Sequence, residues 1–111
     1  MRLDSLFPHL TSDVLAPSFV IFELLFPQVP LDRWRRNGTW IEYWQNGVRI
    51  AFAPRRSYCS LHFQERYAPQ YYREIGGTCP TGAVTIRLPL DRDWDPDPVR
   101  QVLSKVLGED G

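Results

Sequence analysis

The sequence predicts an α+β fold: an antiparallel sheet of four to five strands, built as a meander plus a later strand, with N-terminal and C-terminal helices packed on it. Three observations support this. Hydrophobic residues alternate with a period of two between residues 40 and 63, an Asn-Gly pair interrupts the alternation, and an apolar stripe at helical spacing follows near the end. The 111 residues, 43% of them hydrophobic and 23% charged, fit one globular domain spanning 1–111.

The N-terminal third is predicted to contain one short helix. Ser18 is a candidate N-cap, and Pro27 marks the end because proline cannot continue the backbone hydrogen-bond pattern. The apolar residues of this helix recur at three-and-four spacing: Phe19, Phe22, Leu25 and Phe26.

The middle of the chain is predicted to form three consecutive antiparallel strands, 40–44, 48–53 and 58–63. Asn46-Gly47 favours a tight hairpin turn with positive φ between the first two strands. Alternate residues of a strand point to opposite faces of the sheet. One face of the first strand is therefore expected to carry Trp40, Glu42 and Trp44, and one face of the third Tyr58, Ser60 and His62.

Three further elements are predicted after the meander. Pro69 suits the first turn of a two-turn helix that Gly76-Gly77 ends, and residues 83–90 form a fourth strand with Pro89 at its end or on an edge. The last helix begins with Asp97 as N-cap and ends at Gly108. Its apolar stripe consists of Val99, Val102, Leu103, Val106 and Leu107.

Charge and hydropathy exclude several classes of protein. Thirteen basic residues balance thirteen acidic ones, so the chain as a whole lacks the positive charge that attracts nucleic acid or anionic membranes, and no nucleic acid is expected. The longest apolar run, 19–26, is far shorter than the ~20 residues of a membrane span. The start of the chain lacks a secretory signal pattern, so the expected location is the cytoplasm.

The nucleophiles of the chain do not form a recognisable catalytic set. Cys59 and His62 are three positions apart in one predicted strand, so they face opposite sides of the sheet. Cys79, in a turn-rich loop, is the better candidate for a reactive thiol, and a packed, inert thiol is the alternative. The expected role is therefore a non-enzymatic binding or accessory protein with no certain cofactor.

One run of carboxylates could hold a hard cation such as iron or another divalent metal. Oxygen ligands suit such ions, but the run lacks the glycine and terminal glutamate of a calcium-binding loop. A solvated loop that favours the N-terminus of the last helix is the alternative. The candidate ligands are Asp91, Asp93, Asp95 and Asp97.

Aromatic and arginine residues of the predicted sheet form a second candidate site. Arginine mixed with aromatic residues suits nucleic acid, an apolar ligand, a protein partner or a homodimer contact, and ordinary packing or surface placement is the alternative. The residues expected to bind are Trp40, Trp44, Tyr58, His62 and Arg49.

The order of these elements resembles the YdhG-like family of small bacterial proteins over residues 15–107. The segments that carry the likeness are the Asn46-Gly47 turn, 48–53, 58–63, 84–88 and the aspartate-led final helix. The resemblance implies an antiparallel sheet with helices packed against it. Some members are described as frataxin-like iron chaperones, which implies an iron-holding carboxylate surface, here 91–97. The zero net charge departs from the acidity of such a surface.

Overall fold

The structure is a computed structural model that describes residues 3–27, 29 and 31–108. It confirms the predicted α+β class, with five strands and helices at both ends of the chain. In chain order the elements are α1 (Leu3–Leu6), α2 (Ser12–Leu25), a 3-10 turn (Leu31–Arg33), β1 (Arg35–Asn37), β2 (Trp40–Gln45), β3 (Val48–Pro54), β4 (Tyr58–His62), α3 (Tyr67–Glu74), β5 (Thr85–Pro89) and α4 (Pro96–Leu107).

The five strands lie in the order β1-β2-β3-β4-β5, and each pairs antiparallel with its neighbour. The predicted hairpin turn is confirmed, since Asn46 and Gly47 have φ values of 53° and 78°. Two consecutive positive φ values give a turn whose twist matches that of the flanking strands. Gln45 pairs with Val48 across this turn, and that register fixes which side chains share a face.

One face of the sheet, here called the inner face, forms the hydrophobic core with the helices. The ring of Phe22 on α2 lies 5.4 Å from Phe52 and 5.1 Å from Trp34, both edge-on. At the end of α4, the carbonyl of Leu107 accepts a hydrogen bond from the Gln45 side chain. The buried inner-face residues of the strands are Ile41, Ile50, Phe52, Cys59, Leu61, Ile86 and Leu88.

Helix α2 begins six residues before the predicted cap. Ser18 is inside the helix, buried, and its hydroxyl donates to the carbonyl of Val14 at 2.7 Å. Pro17 lies in the same helix, where it removes one backbone hydrogen bond at a cost of about 3 kcal/mol. Burial of Ile21 and Phe22 with the rest of the apolar face offsets that loss, so proline was a poor guide to the helix start.

The N-cap of α4 is Asp95, and the prediction of Asp97 was wrong by two residues. The Asp95 carboxylate accepts a hydrogen bond from the backbone N–H of Asp97 at 3.0 Å. Pro96 opens the helix, where a missing N–H costs nothing. The predicted end is confirmed, because Gly108 adopts φ 71°. Of the predicted stripe, Val99, Val102, Leu103 and Leu107 are buried and Val106 is half-buried.

Three short elements differ from expectation. Strand β1 and helix α1 were not predicted, because β1 is fully exposed and shows no alternation, while α1 has only four residues. Helix α3 starts at Tyr67, two residues before Pro69, and ends before Gly76, whose φ is 96°.

Pro89 is the last residue of β5, an edge strand, as predicted. Within the described residues, no helix is both long and apolar enough to cross a bilayer.

Candidate functional site

Every second residue of the strands points away from the core, and these residues form what we call the outer face. The register places Trp44 opposite Arg49, Ala51 opposite His62, and Ser60 opposite Arg87. All five residues predicted to bind a ligand or partner lie on it. The outer face comprises Arg35, Asn37, Trp40, Glu42, Trp44, Arg49, Ala51, Ala53, Tyr58, Ser60, His62, Thr85, Arg87 and Pro89.

Glu42 organises the β2 side of the outer face. Its carboxylate accepts hydrogen bonds from the indole N–H of Trp40, at 2.9 Å, and from the side-chain amide of Asn37. The Arg49 guanidinium lies 3.5 Å away. The Trp40 and Asn37 hydrogen bonds lower the pKa of Glu42, so the carboxylate is ionised at neutral pH. The Glu42 carboxylate therefore already interacts with Trp40 and Arg49 and holds both side chains in place.

Trp40 and His62 form a ring pair at the centre of the face. Their ring centroids are 5.4 Å apart, and the Arg49 guanidinium lies 5.5 Å from the Trp40 centroid. His62 Nε2 and Ser60 Oγ are 3.0 Å apart, within hydrogen-bond distance. Burial, followed by the charges of Arg55 and Arg49, lowers the pKa of His62. The imidazole is therefore neutral at neutral pH.

Ser60 was not among the predicted binding residues. A serine and a histidine two positions apart in one strand share a face, which is the signal that could have found the pair. The backbone at Ser60 pairs with β3 on one side and β5 on the other, so its N–H groups belong to the sheet ladder rather than to an oxyanion hole. Among the described residues no carboxylate is hydrogen-bonded to His62, so the pair lacks the orienting acid of a triad.

Two arginines extend the face toward β5 and the 55–57 turn. The Arg87 guanidinium lies 5.5 Å from the Tyr58 ring centroid, and Arg55 donates to the Thr39 hydroxyl at 3.2 Å. In the described part of the chain, no carboxylate lies within salt-bridge distance of Arg55 or Arg87. Their positive charges are therefore available to an anion.

The centre of the outer face is filled by packed side chains, and one edge is exposed. Ala51 and Ala53 are fully buried beneath larger neighbours, and Ser60 is 6% exposed. Trp44 is 55% exposed, which is unusual for so large an aromatic ring because its apolar surface stays in contact with water. Trp40, Tyr58 and His62 are half-buried. The sequence predicted the members of this face but could not rank their exposure.

The predicted metal ligands are not gathered into one site. Asp91, Asp93, Asp95 and Asp97 are all exposed, and Asp95 is used as the helix cap. Within residues 3–27, 29 and 31–108, no group of three or more histidine, cysteine or acidic side chains is arranged to hold a metal ion. Binding of iron at this run stays a prediction that no geometry of the described chain supports.

For Cys79, the structure favours a packed thiol over a reactive one. The residue is only 6% exposed, and burial raises the pKa of its thiol. Its backbone N–H donates to the Tyr72 hydroxyl at 2.9 Å, so the loop folds onto α3. Cys59 lies in the core, on the face opposite His62 as predicted, and burial raises the pKa of its thiol to about 11.

A second concave surface lies between α3 and α4. It is a shallow groove of about 360 Å³ lined by Tyr71, Arg100, Gln101, Ser104 and Lys105. Arg100 donates to the carbonyl of Leu24 through two nitrogens, and Lys105 lies 4.9 Å from the Tyr71 ring centroid. Arg100 also lies 3.7 Å from the Asp97 carboxylate, so one of the two cations of this groove already has an acidic partner, which makes the groove the weaker candidate.

The outer face thus combines exposed or half-buried aromatic rings with Arg87 and the adjacent Arg55, for which the described residues provide no carboxylate partner. It is the surface on which the described chain concentrates groups suited to recognition. Comparisons with protein families, with curated proteins and with solved structures found no match to this chain.

Proposed function

We propose that this chain is a non-enzymatic binding protein of the cytoplasm whose outer face binds an anionic partner. The main support for this proposal is that charge is unevenly distributed in a protein whose net charge is zero. The five strands contain four arginines and one carboxylate, Glu42, which is already held by three neighbours. Three of these arginines, Arg35, Arg49 and Arg87, lie on the outer face, whereas Arg36 is aligned with Ile41 of the inner face.

The residue types of the outer face support a macromolecular partner. Tryptophan, tyrosine and arginine are the residues that most often dominate the binding energy of interfaces. Here Trp44 is exposed, while Trp40 and Tyr58 each carry a guanidinium over the ring. Since this arrangement is already formed within the chain, little side-chain entropy remains to be lost on binding.

A homodimer through the same face is a weaker alternative. The exposed Trp44 ring favours it, because burial against a second copy would remove apolar surface from water. A two-fold contact, however, pairs one surface with itself. The arginines of one copy would then face those of the other, and this repulsion favours an acidic partner instead.

The likeness to the YdhG-like family and the iron-carrier role that it implies remain predictions. Neither contributes to this proposal, which depends on Arg49, Arg55 and Arg87 rather than on the aspartate run.

Retention on immobilised heparin, a sulfated polysaccharide, tests the proposal. Replacing Arg55 and Arg87 with glutamine is expected to lower the salt concentration at which the protein elutes, because two unpaired cations are lost from the face. Lys105→Gln removes one positive charge from the α3–α4 groove and serves as the matched control, with little change expected. If K105Q lowers retention and the arginine variants do not, the outer face is the wrong surface. Light scattering at the same protein concentrations shows whether a dimer forms.

A further inference from the structure

We infer that the anionic partner is a single-stranded nucleic acid, whose bases stack on the aromatic rings while its phosphates contact the arginines. The inference rests on the proposed function, since it names the partner of the same face. It reverses the expectation drawn from net charge, because the zero total conceals a basic, aromatic surface on one side of the sheet.

Flat groups alternate across the outer face. Trp44 lies opposite Arg49 in the register, Arg49 lies over Trp40, and Trp40 pairs with His62. Further along β4, Arg87 lies over Tyr58. Unpaired bases stack on aromatic rings and on guanidinium planes alike, and the 55% exposed ring of Trp44 is the group most open to a base.

The dimensions of the face suit a short segment of single strand. Five strands at a spacing of roughly 4.8 Å give a surface about 19 Å wide. Sheet faces that bind single-stranded RNA stack two or three bases on surfaces of this kind.

The edges of the sheet fit an added peptide strand less well. Strand addition uses the free backbone hydrogen bonds of an edge strand. Here β1 offers only three residues, and β5 ends in Pro89, which has no N–H to donate. An acidic protein is therefore the alternative partner, and the experiment below distinguishes it from a nucleic acid.

The test compares two fluorescently labelled probes of about ten nucleotides, within the site sizes of single-strand binders. One is oligouridylate, and the other is an abasic oligonucleotide of equal length and charge. Oligouridylate is expected to bind on the order of tenfold more tightly, the effect of one or two stacked bases. An oligothymidylate arm shows whether RNA and DNA are distinguished.

Substitutions separate stacking from charge. Trp44→Leu should abolish the preference for oligouridylate while leaving the affinity for the abasic probe unchanged, and Trp44→Phe should restore the preference. Arg87→Gln should weaken both probes and reduce the slope of log affinity against log salt by about 0.7, the value for one phosphate contact on a single strand.

Equal affinity for the two probes, or a preference that Trp44→Leu leaves intact, would overturn the inference. If the base preference is absent but Arg87→Gln weakens the binding of both probes, the outer face binds anions without stacking bases. The result then favours an acidic protein as the partner. If neither probe binds and heparin retention is insensitive to the arginines, the proposed function fails as well.

Discussion

At the scale of single residues, the outer face is held together by side chains that depend on one another. Glu42 fixes Trp40 through the indole N–H, Trp40 packs against His62, and His62 is bonded to Ser60. Removal of one member therefore leaves a polar group of another without its partner, which costs more than the lost contact alone. The histidine at the centre of this basic surface is neutral because burial and the charges of Arg55 and Arg49 lower its pKa.

The ionisation of His62 gives a prediction for the pH dependence of stability. Its pKa in the folded protein lies below the ordinary 6.5, because of burial and then of Arg55 and Arg49. The unfolded chain therefore binds this proton more readily, and the stabilising contribution of neutral His62 is lost as the pH falls through 6.5 toward the folded pKa.

Urea unfolding of the wild type and of His62→Gln at several pH values measures this. The wild type should lose more stability than H62Q between neutral and mildly acidic pH. A folded-state pKa of His62 at or above its ordinary value, by NMR titration of the ring protons, would contradict the explanation.

The two thiols give a second prediction. Both are buried, and burial raises the pKa of each, so little thiolate is exposed in the folded state. Alkylation with iodoacetamide at mildly alkaline pH should be slow for Cys59 and Cys79 in the native protein and reach the rate of a free thiol in denaturant. Peptide mass spectrometry assigns the sites. Native Cys79 reacting as fast as a free thiol would show that the loop after Gly76 opens readily.

At the scale of the elements, local hydrogen-bond chemistry decides where the helices begin. The cap of α4 was predicted two residues late because Asp95 and Asp97 both precede a proline, and the pattern Asp-Pro occurs twice in succession. The choice between the two aspartates depends on the backbone conformation at Asp95. This conformation is extended, with φ −78° and ψ 119°, and it lets the Asp95 carboxylate reach the N–H of Asp97. Sequence alone does not give that backbone conformation.

The assignment of the cap can be measured by comparing two alanine variants. Asp95→Ala should destabilise the protein by about 1 kcal/mol, because the N–H of Asp97 loses its acceptor. Asp97→Ala should cost only a few tenths of a kcal/mol, the value of an exposed pair with Arg100 three residues on. Urea midpoints that rank the two variants in the opposite order would restore Asp97 as the cap.

Gly77 provides a test of the packing between α3 and the following loop. A Cβ at this position would overlap the ring of Tyr72, which is buried and whose hydroxyl accepts from the N–H of Cys79. Gly77→Ala should therefore cost about 1–3 kcal/mol through overpacking. The cost should shrink in a Tyr72→Leu background, where the ring is absent. An equal cost in both backgrounds would mean that the ring is not the obstacle.

The strands were more predictable than the helix starts, for a physical reason. An Asn-Gly turn with period-two alternation specifies both a hairpin and its register, so β2, β3 and β4 could be derived from the sequence. Strand β1 could not, because Arg35-Arg36-Asn37 is exposed on both faces and is held only by pairing with β2. Helix α2 contains Pro17, whose local penalty is offset by tertiary burial that no local pattern shows.

At the scale of the whole molecule, the fold separates charges that are balanced in the sequence. The aspartates at 91–97 lie on the segment that leads into α4, whereas the arginines of the strands lie in the sheet. The residues of the outer face could be predicted from the alternation of the strands. The excess of positive charge on this face could not, because the excess depends on which carboxylates the fold brings close to which arginines. Ser60 was missed for a similar reason, since its importance comes from the 3.0 Å contact with His62.

The central claim is that the outer face, rather than the helix surface, is where this protein binds anions. The most direct measurement is the change in amide and indole NMR chemical shifts on titration of the isotope-labelled protein with a short heparin oligosaccharide. We predict that the largest changes occur at Trp44, Arg49, Ser60, His62 and Arg87. Changes concentrated instead around Arg100 and Lys105 in the α3–α4 groove would contradict the claim.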